Sequence, residues 1–203
     1  VHCQVYKGMS RFNPEILLAA RSTQGEVVVD ANMDLITASF HSNCGGQTLN
    51  SEEVWTNALP YLRAKKDTFC LKGYHATWES EILRSSWLTY LEERSGDLSK
   101  VPAKDLYTIR QPERSINFSI ADSTVPLKDI RRKWFLNSTY FEMDEDGDKL
   151  VLKGRGFGHG VGLCQEGAMG MVNLGYSYLD VLTFYYTDVH LLHLSVIDFF
   201  KNN

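Results

Sequence analysis

The chain has 203 residues, 43% hydrophobic and 12% aromatic, enough apolar material to close a sizeable core in one domain. Its formal net charge of -4, from 21 basic against 25 acidic side chains, gives no reason to expect nucleic acid or an acidic membrane surface as partner. No apolar run nears the roughly 20 residues that span a bilayer, and no leader-like pattern opens the chain, so Val1 reads as the start of a fragment.

Asn13 before Pro14 predicts a helix whose positions Ile16, Leu17, Ala20 and Arg21 run to a cap at Gly25. Two strands are expected next, over 26–30 and 35–40, joined by a turn at Asn32 and Asp34. The stretch 41–55, HSNCGGQTLNSEEVW, is polar and turn-rich, a surface loop of the kind that displays ligand groups at a strand end. Further on, 78–82 reads as a strand, 86–94 as a helix, and 107–110 and 115–120 as strands. Leu127, Ile130 and Trp134 recur at helical spacing in 125–134. The segments 140–143 and 150–153 form a hairpin around the acidic turn DEDGD, whose glycine stands at the wrong place for a calcium loop. A last helix, 178–186, follows an N-cap at Ser177, and a short strand lies around 190–194. The whole is an α+β pattern of mixed, mainly antiparallel sheets with several short helices, expected to form a single domain over 1–203.

Between the hairpin and the last helix stands GRGFGHGVGLCQEGAMGM, where seven glycines surround His159, Cys164 and Gln165. Glycine at this density weakens a strand by about 0.5–1 kcal/mol per residue relative to alanine, which argues for a tight turn or for backbone brought close to a ligand. It is not a phosphate loop: GxxxxGK[ST] is absent, and no GxGxxG run continues into a helix followed by an acidic residue at dinucleotide spacing. The four cysteines, Cys3, Cys44, Cys70 and Cys164, are widely spaced without a CxxC pair, which disfavours a zinc ribbon. Their even count suits disulfides in an oxidising compartment, with buried free thiols the competing reading.

Five motifs in order, FHSNCGGQT, VWTNALPYL, PLKDIRRKWFLNSTYFEM, the glycine-rich segment and YLDVLTFYYTDVHL, resemble the SpoIID/LytB family from about residue 3 to residue 194. The resemblance implies cell-wall enzymology outside the cytoplasmic membrane, with any signal or anchor lying beyond this chain. Sporulation members are lytic transglycosylases that cut glycan strands between N-acetylmuramic acid and N-acetylglucosamine, leaving anhydromuramic ends. Related members are described as enhancers of wall amidases, so a non-catalytic wall-binding module is the alternative. In the cleavage, one protonated carboxyl donates to the glycosidic oxygen and then takes the proton of the muramic hydroxyl that closes the ring. Because the sugar supplies its own nucleophile, no second carboxylate is needed.

The family's catalytic glutamate belongs to an EALKAQA-type segment that precedes the residues matching HCQVYKG, and this chain begins directly before that match. No residue here therefore takes the general-acid role by resemblance, and the chain by itself is expected to be inactive. Glu52, Glu53 and Glu166 are the carboxylates nearest the matched motifs, and each reads as a solvated side chain. The matched positions offer Gln4, Tyr6, His41, Ser42, Gln47, Arg155, His159 and Gln165 as groups that hydrogen-bond sugars. Trp55 and Tyr61 are candidate stacking faces, although core packing is the expected use of both, and Tyr185 and Tyr186 are expected to pack. The partners implied are peptidoglycan glycan strands and a wall amidase. No cofactor is required by the chemistry. Some members hold zinc through cysteine and histidine, so His41, Cys44 and Cys70, with His75, form a candidate metal set, over which a Cys44–Cys70 disulfide or free thiols are preferred.

Overall fold

The computed structural model describes residues 13–196, which fall into two compact units: the chain up to Ile36 together with the chain from Val189, and Thr37–Asp188. In chain order the elements are α1 (Pro14–Ser22), β1 (Glu26–Val29), β2 (Phe40–His41), α2 (Ser51–Val54), β3 (Thr77–Leu83), α3 (Arg84–Ser95), α4 (Ala103–Tyr107), β4 (Asn117–Ile120) and β5 (Ser123–Pro126). They continue as α5 (Leu127–Lys133), β6 (Phe141–Asp146), β7 (Lys149–Arg155), β8 (Leu163–Cys164), α6 (Gln165–Asn173), α7 (Tyr178–Tyr185) and β9 (His190–His193). The expected α+β class holds: short sheets, antiparallel except for the β2–β8 pair, with short helices around them.

In the smaller unit, α1 starts as its sequence predicts, with the Asn13 side chain accepting the Ile16 N–H at 2.8 Å and Pro14 opening the first turn. It ends at Ser22, and Gly25 instead forms the bend into β1 at φ +82°, where a Cβ would lie 2.4 Å from His193 Nε2. β1 pairs antiparallel with β9, from Glu26↔His193 to Val29↔His190. The expected strand over 35–40 does not form. Asp30 Oδ1 accepts the N–H groups of Asn32 and Asp34, closing the turn, and beyond it only Leu35 bridges back to Val29. The partner of β1 comes from the far end of the chain, which local periodicity cannot reveal.

The larger unit is built on the antiparallel sheet β3-β7-β6. Burial alternates along β7, with Leu150 and Leu152 inward, and these pack with Ile82, Phe141 and Met143 against Trp87 and Leu91 of α3, Leu127 and Ile130 of α5, and Phe118 and Val125 of the β4–β5 hairpin. Trp87 is fully buried and donates its indole N–H to the Leu106 carbonyl at 2.8 Å, so a side chain worth several kcal/mol of burial leaves no polar group unpaired. The acidic turn is a two-residue hairpin connection, Asp146↔Lys149 being the last pair and Gly147 taking φ +64°. Helix α5 begins later than its spacing predicts, because Val125 and Pro126 first complete β5. The expected strand over 107–110 is instead the end of α4 and a lone bridge from Ile109 to Met143. With Leu106 as its buried residue, α4 carries no apolar stripe to betray it. A second apolar cluster, Cys44, Cys70, Cys164, Met171, Val181 and Tyr185, sits where α6 and α7 meet the loop after β2.

Candidate functional site

The glycine-rich segment passes through β8 into α6, and what its glycines approach is the chain itself. A Cβ at Gly158 would stand 2.8 Å from His41 Cβ, and one at Gly162, at φ +72°, would stand 2.2 Å from the Ser39 carbonyl oxygen. In α6 the same holds at Gly167, whose Cβ would meet Tyr185 Oη at 2.1 Å and Asp67 Oδ2 at 2.4 Å. The reading of close backbone approach is therefore right in kind, while the neighbour is protein. This packing lets β8 lie parallel to β2, pairing Phe40 with Leu163 and His41 with Cys164.

Two histidines meet beside this pair. The His41 and His159 ring centroids lie 5.5 Å apart, and His159 lies 5.3 Å from the ring of Trp55. His41 is buried, donates Nδ1–H to the Val161 carbonyl at 3.2 Å, and leaves Nε2 without a partner. Burial above all, then the neighbouring His159 and Arg114, push its pKa down to about 3, so it is neutral. Burial also pushes His159 below the ordinary histidine range, against an opposing hydrogen bond to the Phe40 backbone, and its Nδ1 accepts the Val161 N–H at 3.0 Å. Both rings thus offer neutral hydrogen-bonding edges and not a cation.

From His159 a groove runs over α5. A cavity of about 240 Å³ is lined by Glu52, Glu53, Asn117, Lys128, Arg131, Thr139 and His159. A second, of about 690 Å³, is bounded by Lys128, Asp129, Arg131, Arg132, Phe135, Asn137 and Phe157, with Asp129 paired to Arg132 at 3.0 Å. Lys128 and Arg131 border both. Phe135 is 92% exposed and holds φ 54°, the left-handed cap position after α5, where the Leu136 N–H reaches the Arg131 carbonyl at 3.0 Å. Phe135 thus combines an exposed aromatic ring with a backbone conformation that suits glycine. Sequence reasoning missed Phe135, Phe157, Lys128 and Arg131 as site residues. Lys128, Arg131 and Phe135 stand in the motif PLKDIRRKWF, whose helical spacing points to its buried face, and Phe157 stands among the glycines of GRGFGHG.

The sequence-derived candidates separate into distinct groups. His41 and His159 come together, with Ser42 and Gln165 half-buried at the ends of β2 and β8. Gln47 and Arg155 are spent on the fold: Gln47 receives the Arg114 N–H at 3.3 Å, while Arg155 lies 3.9 Å over the Tyr140 ring and donates to the Gln111 carbonyl. Gln4, Tyr6 and Cys3 lie outside the described residues. Trp55, expected in the core, is 39% exposed beside His159, whereas Tyr61 is buried with its hydroxyl accepting the Thr37 N–H. Tyr185 and Tyr186 pack as expected.

The three candidate carboxylates are all engaged. Glu52 is held ionised by Arg63, whose two guanidinium nitrogens reach it at 2.8 and 2.6 Å and draw its pKa down to about 2. Glu53 accepts the Asn50 N–H as part of the cap of α2. Glu166 is not the solvated side chain expected. It is largely buried and accepts from Asn43 Nδ2 at 2.7 Å, and lies 2.6 Å from His75 Nδ1. Burial opposes its ionisation, but these bonds from Asn43 and His75 outweigh it and hold the carboxyl below its usual range. A general acid must be protonated at working pH, which suits neither Glu52 nor Glu166.

Next to the same strand pair the thiols converge. Cys44, Cys70, Cys164 and Asp67 are all fully buried, with one ligand atom of each lying within 4.8 Å of the others. The Cys44 and Cys70 sulfurs are 3.4 Å apart and unbonded, and Cys44 Sγ donates to Asp67 Oδ2 at 3.2 Å. The Cys70 thiol is pushed down by hydrogen bonds from Cys164 and Cys44, and Cys44 is pushed up by its bonds with Cys164 and Cys70 and by burial. Burial raises Asp67. Of the candidate metal set, the structure joins Cys44 and Cys70 but assembles them with Asp67 and Cys164. His41 is turned toward His159, and His75 pairs with Glu166. The group can hold a metal ion.

No family model matches the chain. Comparison with characterised sequences does find relatives. The chain is 34% identical over 172 residues to stage II sporulation protein D of Bacillus subtilis (strain 168), a match covering 83% of the chain and 48% of that protein. It is 32% identical to stage II sporulation protein D of Bacillus amyloliquefaciens, over 93% of the chain and 57% of the relative. It is 30% identical to a protein named amidase enhancer of Bacillus subtilis (strain 168), over 90% of the chain and 33% of the relative. The chain thus spans about half the length of these relatives or less. Since two differently named proteins are similar to it along nearly its whole length, the chain belongs to the SpoIID/LytB family.

Proposed function

We propose that this chain is the glycan-holding part of a cell-wall protein, and that peptidoglycan strands lie in the groove over α5, between His159 and Phe135. The observation that carries this reading is the groove itself, two adjoining cavities sharing Lys128 and Arg131, with Phe135 and Phe157 exposed in its lining and Trp55 exposed against His159 at its end. Sugars present apolar ring faces, hydroxyls and acetamido groups, which aromatic faces, Asn117, Thr139, Asn137 and the neutral imidazole of His159 complement. Muramic acid adds a carboxyl group on its lactyl arm, and Lys128 and Arg131, which border both cavities, complement it.

In this reading the whole protein is an extracytoplasmic lytic transglycosylase that cleaves between N-acetylmuramic acid and N-acetylglucosamine. Its general acid is a carboxyl other than Glu52, Glu53 and Glu166, because the first and last of these are held ionised and Glu53 caps α2. No helix among the described residues is long and apolar enough to cross a membrane. The relative named amidase enhancer, which matches 90% of the chain, favours a second reading in which the domain docks on the wall and stimulates an amidase.

Co-sedimentation of the chain with purified glycan strands, freed of stem peptides or bearing them, tests the groove. Trp55→Ala should weaken binding by about five- to tenfold, as expected for a lost aromatic face worth roughly 1–1.5 kcal/mol. Binding that is absent, or that is indifferent to Trp55→Ala and to Lys128→Ser with Arg131→Ser together, would sink the proposal. Adding the chain to a wall amidase and following the release of stem peptides separates the second reading from the first.

A further inference from the structure

We propose that Cys44, Asp67, Cys70 and Cys164 hold one zinc ion as a closed structural site. This goes beyond the glycan reading and does not rest on it. The four donors come from three separated segments: the loop after β2, the stretch Asp67–Cys70, and the residue that caps α6. They converge in the interior, each fully buried, with their ligand atoms all within 4.8 Å of one another. Tetrahedral zinc with Zn–S bonds of about 2.3 Å places its sulfurs roughly 3.8 Å apart, so this spread suits one small ion shared by all four.

The chemistry of the donor set points the same way. Thiols and a carboxyl can be buried as neutral groups, but as thiolates and carboxylate, the forms that bind metal, they are stable away from water only with a counter-charge. Among the described residues no ion pair involves Asp67. The nearest thing to compensation is a set of neutral donors arranged as the outer shell of a metal site would be. The backbone N–H groups of Cys44 and Gly167 each point at Cys164 Sγ from 3.3 Å. Tyr185 donates its hydroxyl to Asp67 Oδ2 at 2.8 Å, and the Phe69 N–H reaches Oδ1 at 2.9 Å, which orients the carboxylate. A divalent cation would supply the missing charge, and thiolate-rich sets of four select zinc over harder ions. Because four protein groups complete the tetrahedron, no position is open to substrate, so the ion would act as a clamp and not as a catalyst.

The alternative use of the same atoms is a Cys44–Cys70 disulfide, which joins two sulfurs and leaves Cys164 and Asp67 without a role. The purified chain, produced with zinc in the medium and freed of loosely bound metal, is assayed by elemental analysis beside a thiol titration in denaturant with chelator. One zinc per chain with all four thiols titrating supports the site; a zinc-free chain, whether it titrates two thiols or four, overturns it. Replacement by Co²⁺ alone should give the intense sulfur-to-cobalt absorption of a three-thiolate tetrahedral site, and a weak octahedral spectrum also overturns it. Cys164→Ser and Asp67→Ala should each lower the bound zinc well below one equivalent, while Cys3→Ser and His41→Asn should leave it. If the first two variants do not fold, the cobalt spectrum of the unaltered chain still decides.

Discussion

Phe135 is where folding and function are expected to pull in opposite directions. The residue sits at φ 54° just after α5 and leaves 92% of its surface in solvent, so it gains little from burial and bears the left-handed strain of a side chain. That strain is about 1–2 kcal/mol, while glycine's extra freedom in the unfolded chain costs about 0.5–1 kcal/mol. Phe135→Gly should therefore leave stability unchanged or raise it by about 1 kcal/mol. Phe135→Ala keeps the strain and should change stability by less than about 0.5 kcal/mol, as other exposed substitutions do. Both variants lose the ring, so both should bind glycan strands roughly five- to tenfold more weakly. Urea unfolding followed by far-UV dichroism gives the stabilities, and co-sedimentation gives the affinities. If Phe135→Gly is destabilised by more than about 1 kcal/mol, the ring has a packing role and the strain reasoning is wrong. If both variants bind as tightly as the parent, Phe135 is no part of the glycan surface.

The same assay compares an open glycine with one that presses on the chain: Gly147→Ala, at φ +64° with nothing within 4 Å, should cost about 0–1.5 kcal/mol, the left-handed strain of about 1–2 kcal/mol less the roughly 0.5–1 kcal/mol of glycine's unfolded freedom. Gly162→Ala, at φ +72° with the Ser39 carbonyl 2.2 Å from its new Cβ, should cost a further 1–3 kcal/mol or so, and equal losses in the two would deny the close contact its importance. His41 binds no proton in the fold until about pH 3 but from 6.5 in the unfolded chain, so stability should fall as pH drops through that window, by up to about 1.4 kcal/mol per unit. His41→Asn should flatten that slope, leaving the smaller share due to His159, and an unchanged slope would mean that His41 is protonated in the fold.

How much of this was legible depended on the reach of each signal. The cap at Asn13 and the box in which Ser177 and Asp180 bond each other's backbone are complete within four residues, and both helices begin where the sequence says. The β6–β7 hairpin was equally local. By contrast β1 finds its partner in β9, and β2 in β8, across most of the chain, so neither pairing leaves a periodic trace. The glycine density reported crowding correctly, but composition cannot say whether a glycine yields to a ligand or to a carbonyl such as that of Ser39. Glu166 shows the same gap: a glutamate beside glutamine looks solvated until Asn43 and His75 fold over it from elsewhere in the chain.

These long-range pairings explain why the site needs support that motifs do not advertise. β2 and β8 share only Phe40↔Leu163 and His41↔Cys164, too short a ladder to hold the two histidines in place by itself. On one flank Arg114, buried and pushed down to about pKa 10 by its desolvation, gives Nη1 to the carbonyls of Cys44 and Gln47 at 3.1 Å each, so a full charge is committed to fixing one loop. On the other flank the Cys44 N–H reaches Cys164 Sγ, joining the end of that loop to the start of α6. The two histidines are thus anchored on both flanks by buried polar groups that line neither cavity. Leaving either set unpaired costs about 1–3 kcal/mol per group, so substitutions there should loosen the histidine pair as much as the fold.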